Sequence, residues 1–115
     1  MDTILQRLVE IEGVTGALCV GKDGLVVASS LTGEDEEILG AMAAAAFDAA
    51  GRYIEQLGVG TVRYALFEAP GGTAQIADAG EMLVVVRATE QAELGRIRLE
   101  LTQAARRLAQ QVGSY

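Results

Sequence analysis

A β-hairpin predicted over residues 16–30 constrains the fold more than any other feature of this chain. Two apolar runs, GALCV and LVVA, flank Lys22, Asp23 and Gly24. An Asp-Gly pair between strand-forming runs is a strong hairpin signal, because the turn needs a positive φ that glycine adopts at no steric cost. Helical patterns precede and follow the hairpin. A helix, a hairpin and a long helix in that order are typical of a few sensory and scaffold folds, and none of these folds implies catalysis.

The remaining periodicities complete a single domain over residues 1–115. Apolar residues at helical spacing predict helices over residues 2–12, 34–57 and 90–112, with Gly13 ending the first, Thr32 capping the second and Thr89 a possible cap for the third. Strand-like runs cover residues 61–69, 73–78 and 82–88, and the continuous VVV of the last predicts a central strand. The order α-β-β-α-β-β-β-α predicts an α/β (α+β) fold with a five-stranded, mainly antiparallel sheet and helices on both faces.

The second predicted helix carries two adjacent apolar stripes, whereas an ordinary surface helix has one. We expect one stripe to pack on the sheet and the other to contact a second subunit or another protein. The first stripe contains Ile38, Met42, Ala46, Ala49, Tyr53 and Leu57, and the second, which we expect to face a partner, contains Leu39, Ala43, Phe47, Ala50 and Ile54. The strand over residues 61–69 is the other candidate interface, because it has no interior proline to block strand addition across a two-fold axis.

Charge argues against several classes of partner. The net charge is −7, and residues 1–57 carry ten acidic and three basic side chains, against six of each in residues 58–115. Nucleic acid and anionic membrane surfaces need basic patches, so neither is an expected partner. No signal-peptide pattern, no apolar run of membrane-spanning length and a single cysteine, Cys19, together predict a cytoplasmic protein.

The sequence offers little catalytic chemistry. It contains no histidine, and its one cysteine lies within an apolar strand, where a buried structural thiol is the expected role. Lys22 lies between two glycines but lacks the spacing of a phosphate-binding loop, so it is interpreted as a hairpin tip. The acidic run over residues 34–37 fits the start of a helix, whose dipole favours negative charge. We therefore expect neither an enzyme nor a cofactor or metal site.

Residues 11–29, IEGVTGALCVGKDGLVVAS, resemble the opening of the Roadblock / dynein light chain family. Residues 82–86, MLVVV, and 93–101, ELGRIRLEL, are similar to the last strand and helix of that family. The resemblance covers essentially the whole chain. It implies a dimer in which the edge strands after the long helices pair into one continuous sheet and the two long helices lie side by side. It also implies a non-catalytic partner of Ras-like small GTPases or a motor light chain, and the composition indicates a prokaryotic member.

The resemblance assigns two sets of residues by position. The dimer interface would contain the strand residues Arg63, Tyr64, Ala65, Leu66 and Phe67 and the helix residues Leu39, Ala43, Phe47, Ala50 and Ile54. As a hypothesis, the GTPase would contact the acidic start and outward face of the second helix, at Glu36, Glu37, Ala44, Asp48 and Glu55.

Two other interpretations remain open at this point. The chain could be a purely structural subunit of a larger complex, which differs from the GTPase adaptor only in its partner. It could also be a small-molecule sensor of the PAS, GAF or profilin-like kind, although such pockets usually have aromatic walls. This chain has only two Phe and three Tyr residues, which disfavours a sensor.

Overall fold

The computed structural model describes residues 2–31 and 35–113, and within them it contains three helices and five strands in the predicted order. In chain order these are α1 (Asp2–Val9), β1 (Val14–Gly21), β2 (Val26–Ser29), α2 (Glu36–Gln56), β3 (Tyr64–Ala69), β4 (Gly72–Ala79), β5 (Met82–Ala88) and α3 (Leu94–Gly113).

The five strands form one antiparallel sheet in the order β2-β1-β5-β4-β3. β5 is central, as the continuous valine run predicts, and Val84 and Val86 are fully buried. β2 and β3 are the two edges. The predicted fold class is confirmed.

The predicted hairpin between β1 and β2 is also confirmed. Gly24 has φ +93°, and the Gly21 N–H donates to the Leu25 carbonyl over 2.8 Å. The Asp23 carboxylate accepts a hydrogen bond from the Leu25 N–H at 3.1 Å, and this side-chain contact stabilises the turn. The Asp-Gly pair therefore sets the turn through glycine's backbone freedom and aspartate's short acceptor.

Each face of the sheet has its own core. On one face, α1 and α3 cover a large cluster that includes Leu8, Cys19, Ile97 and Leu101. On the other, α2 covers a smaller cluster of Ala44, Phe47, Ile76 and Leu83. Cys19 has no exposed surface, in agreement with the buried structural role predicted for it.

Several predicted boundaries were wrong by a few residues. α1 ends at Val9 and not at residue 12, because the Ile11 N–H bonds the Leu8 carbonyl in a tighter turn. Thr89 does not cap α3: its N–H donates to the Gly13 carbonyl at 2.8 Å, and the helix begins at Leu94. β3 begins at Tyr64, three residues later than predicted. The predicted cap Thr32 and Glu34 lie outside the described residues.

Candidate interaction surface

Helix α2 approaches the hairpin closely because two of its three buried residues, Gly40 and Ala44, are small. Gly40, Ala44 and Phe47 are its buried residues. A Cβ added to Gly40 would lie 2.7 Å from Val26 Cγ2, so glycine is what allows the helix to contact the hairpin. Phe47 then fills the space over β4 and β5 against Ile76.

This packing contradicts the predicted orientation of the largest side chains in both apolar stripes of α2. Phe47, expected to face a partner, is only 6% exposed and packs on its own sheet. Ile38, Met42 and Tyr53, from the stripe expected on the sheet, are more than half exposed. We call these three residues the apolar α2 face. Ala44, expected on the outward face, is also buried, so both expected orientations were wrong.

Helical periodicity could not have told the two stripes apart, because both are apolar at the same spacing. A usable signal was present in Gly40 and Gly51, which lie seven residues before and four after Phe47 on the same side of the helix. Small residues on one side permit close approach to a sheet, whereas the other stripe has Met42 and Tyr53 at comparable positions. The pattern of side-chain size thus identified the buried side.

The other residues assigned to a dimer interface lie in two places. On α2, Leu39 is exposed, whereas Ala43, Ala50 and Ile54 are half-buried. On and just before β3, Arg63, Leu66 and Phe67 are exposed, and Tyr64 and Ala65 are half-buried. The edge-strand residues are therefore accessible to a partner, but the α2 set is split between surface and core.

An open groove of about 310 Å³ joins α2 to β3. Leu39 and Met42 of α2 and Phe67 of β3 line it, together with sheet residues such as Leu18 and Ile76. Its lining is almost wholly apolar, and Arg87 is the charged residue within it. The groove makes the exposed side of α2 continuous with the edge strand.

The charged side chains of α2 lie together on a different flank. Glu37, Asp48 and Glu55 are exposed at helical spacing, and we call them the acidic flank. Asp48 forms an ion pair with Arg52 at 3.0 Å, one turn further on, but both side chains are well exposed and such pairs contribute little stability. Glu36, also predicted to bind the partner, is half-buried. The acidic flank borders a cleft that contains a second ion pair, Lys22–Asp78, at 3.0 Å.

The outer edge of β3 has no neighbouring strand within the described residues. The Asp78 N–H donates to the Arg63 carbonyl at 2.9 Å, so residue 63 directs its carbonyl towards β4. Successive residues of a strand direct these groups to alternate sides, so Tyr64, Leu66 and Glu68 direct their N–H and C=O groups away from the sheet. We call these groups the open edge.

A polar cluster that the sequence pattern does not predict lies under α3, beside this edge. The Tyr64 hydroxyl donates to the Gln75 side-chain carbonyl at 2.5 Å, and Gln75 is fully buried. The Arg98 guanidinium lies over the Tyr64 ring, 4.6 Å from its centroid. Burial raises the pKa of the Tyr64 hydroxyl, and the Arg98 charge opposes part of that shift.

Two of the residue classes considered for chemistry, metal-ligating side chains and the single thiol, can be located in the structure. Among residues 2–31 and 35–113, no group of three or more His, Cys, Asp or Glu side chains could hold a metal ion. Burial raises the pKa of the Cys19 thiol, so the reactive thiolate is less populated at a given pH.

Among residues 2–31 and 35–113, no helix has the length and apolar character needed to cross a membrane.

Comparisons with known proteins agree with this architecture. The sequence model of the family described as Roadblock/LC7 domain matches residues 1–88. An uncharacterized protein of Methanocaldococcus jannaschii is 42% identical over 109 residues, covering 94% of this chain and 96% of the relative. A Roadblock/LC7 domain from Streptomyces avermitilis superimposes with a TM-score of 0.90 at 20% identity, covering 97% of each chain. Myxococcus xanthus MglB gives 0.90 at 20% identity, covering 98% of this chain and 94% of MglB.

Proposed function

Because the chain belongs to the Roadblock/LC7 domain family, we propose that it is a dimeric, non-catalytic adaptor that binds and regulates a Ras-like small GTPase. The observation that carries the proposal is the apolar α2 face. Met42 is 63% and Tyr53 65% exposed on a helix that otherwise packs closely on its sheet. Exposed apolar side chains along one side of a helix are typical of protein-binding surfaces.

The dimer is supported by the open edge of β3. Unpaired N–H and C=O groups in a row favour addition of another strand, and the exposed Leu66 and Phe67 add apolar area beside them. The apolar groove continues from Phe67 to Leu39 and Met42, so a second copy could cover strand and helix together. We therefore assign self-association to β3 and the adjoining side of α2.

The GTPase is assigned to the acidic flank. Glu37, Asp48 and Glu55 are exposed, and with Glu36 they are four of the ten acidic side chains of residues 1–57. Such a surface favours a partner with a basic face, because opposite charges speed encounter and exclude wrong partners. MglB, a gliding protein of Thermus thermophilus, has the same fold, with a TM-score of 0.87 at 21% identity and coverage of 99% of this chain and 89% of MglB.

The test is a titration of this protein against the Ras-like small GTPases of its own organism, each loaded with GDP or with a non-hydrolysable GTP analogue. We expect binding that differs between the two nucleotide states, and a changed rate of GTP hydrolysis or exchange. Glu37→Lys and Glu55→Lys should each weaken binding about tenfold, within the range of interface charge pairs. Glu10→Lys, an equal charge change at an exposed position after α1, is the control.

Two results would contradict the proposal. Absence of binding in both nucleotide states would contradict a GTPase partner and favour a role as a structural subunit. If Glu10→Lys weakened GTPase binding as much as the acidic-flank variants, the assignment of the GTPase to the acidic flank would be wrong.

A further inference from the structure

We infer that two copies of this chain pair through β3 in a single register, with the two-fold axis at Leu66, and that Glu68 of each copy forms an ion pair with Arg98 of the other. The inference rests on the dimer of the proposed function. It adds the residues by which one copy recognises another.

The backbone of the open edge limits the possible registers. In an antiparallel pair across a two-fold axis, residues directly opposite each other have side chains on the same face of the sheet. With the axis at Leu66, Leu66 faces its own counterpart and Tyr64 faces Glu68 at both ends. Every outward-directed N–H and C=O of the three residues then has a partner.

The neighbouring registers leave some of these groups unused. An axis at Ala65 pairs Glu68 with Val62, which lies before β3 begins. An axis at Phe67 pairs Tyr64 with Pro70, which has no N–H to donate. Since an unpaired backbone group that loses water costs free energy, the register at Leu66 is favoured.

This register also brings opposite charges together on the α3 face of the sheet. Tyr64 lies on that face, since Arg98 of α3 covers its ring. Side chains alternate along the regular β3–β4 ladder, so Leu66 and Glu68 lie on the same face. Glu68 of the second copy comes directly opposite Tyr64, with Cα atoms about 5.5 Å apart, and hence beside the Arg98 guanidinium.

Within the described part of a single chain, neither charge takes part in an ion pair. The ion pairs over those residues are Lys22–Asp78 and Asp48–Arg52, and neither includes Arg98 or Glu68. Stacking on Tyr64 already orients the Arg98 guanidinium, which lowers the entropy lost when it meets a carboxylate. The two-fold axis repeats the Glu68–Arg98 pair, so the dimer contains two such ion pairs and each copy contributes one residue to each pair.

Charge exchange tests the pair. Glu68→Arg and Arg98→Glu should each weaken self-association about tenfold, because each replaces two attractions with two repulsions. The double variant should recover wild-type affinity. An equimolar mixture of the two single variants should form more mixed dimers than the statistical half, since every contact across that interface is then attractive. Analytical ultracentrifugation gives the affinities and native mass spectrometry the mixed fraction.

Arg107→Glu is the matched control, because this exposed arginine lies on the opposite flank of α3, beside α1. It should leave self-association within about twofold of wild type. Equal effects of Arg98→Glu and Arg107→Glu, or a purely statistical mixture of the single variants, would overturn the ion pair.

Cysteine cross-linking tests the register separately. Leu66→Cys should form a disulfide-linked dimer under mild oxidation, since its Cα would lie about 5.5 Å from that of its counterpart, within disulfide range. Cys19 has no exposed surface and should not compete. Efficient self-linking by Ala65→Cys or Phe67→Cys in place of Leu66→Cys would overturn the register. A wild-type protein that stays monomeric at all concentrations would overturn the proposed dimer itself, whereas a dimer with another register overturns only this inference.

Discussion

Replacing Phe47 with alanine removes the largest side chain that α2 buries against the sheet. The buried residues of α2 are Gly40, Ala44 and Phe47, so the aromatic ring is the largest apolar group that the helix buries. Truncating a buried phenylalanine costs about 3–5 kcal/mol. A domain of 115 residues has a free energy of unfolding of about 6–17 kcal/mol, so the loss is a large fraction of the total.

The assay is urea unfolding of wild-type and Phe47→Ala protein at several protein concentrations. Because dimerisation stabilises the folded state by mass action, the concentration series separates the stability of the single chain from that of the dimer. Met42→Ala is the control, since Met42 is mostly exposed and its truncation should cost the single chain about 0.5 kcal/mol or less.

Refutation would take a definite form. If Phe47→Ala left the single-chain free energy of unfolding within about 1 kcal/mol of wild type and instead abolished self-association, Phe47 would face a partner. The stripe assignment predicted by helical periodicity would then be correct, and the packing of Phe47 on the sheet would be wrong.

Three further predictions concern the core. Gly40→Ala should lower the melting temperature despite alanine's better helix propensity, because the new Cβ would meet Val26 Cγ2 at 2.7 Å. Gly51→Ala is the control and should be neutral or stabilising, since its Cβ would lie 3.4 Å from Val62. Equal changes of melting temperature in the two variants would contradict the close approach of α2 at Gly40. Cys19 should react with a thiol reagent only as fast as the protein unfolds, and rapid labelling of native protein would contradict its burial. Burial raises the Cys19 pKa above its ordinary 9.0, so the stability contributed by the neutral thiol is fully present below pH 9.0 and is lost as pH rises beyond it. Above pH 9.0, the urea midpoint of Cys19→Val should therefore fall less steeply with pH than that of the wild type.

The sequence by itself determined the order of the elements and the turns between them. The Asp23-Gly24 pair specifies the first hairpin through local backbone geometry, so no distant residue is needed to predict it. The continuous run from Val84 to Val86 likewise predicts a strand covered on both faces, because a strand with one solvated face would alternate. These signals are local, and they were confirmed.

Only the tertiary structure decided which sides of the elements face each other. The two stripes of α2 have the same periodicity, and the choice between Phe47 and Met42 depends on how closely Gly40 lets the helix approach the hairpin. The Tyr64–Arg98 contact joins residues 34 positions apart, and nothing local in either segment specifies it. Helix and strand patterns report the residue's own element, whereas interaction surfaces arise where elements meet. Hydrophobic periodicity therefore predicted the fold but did not predict which stripe of α2 is exposed.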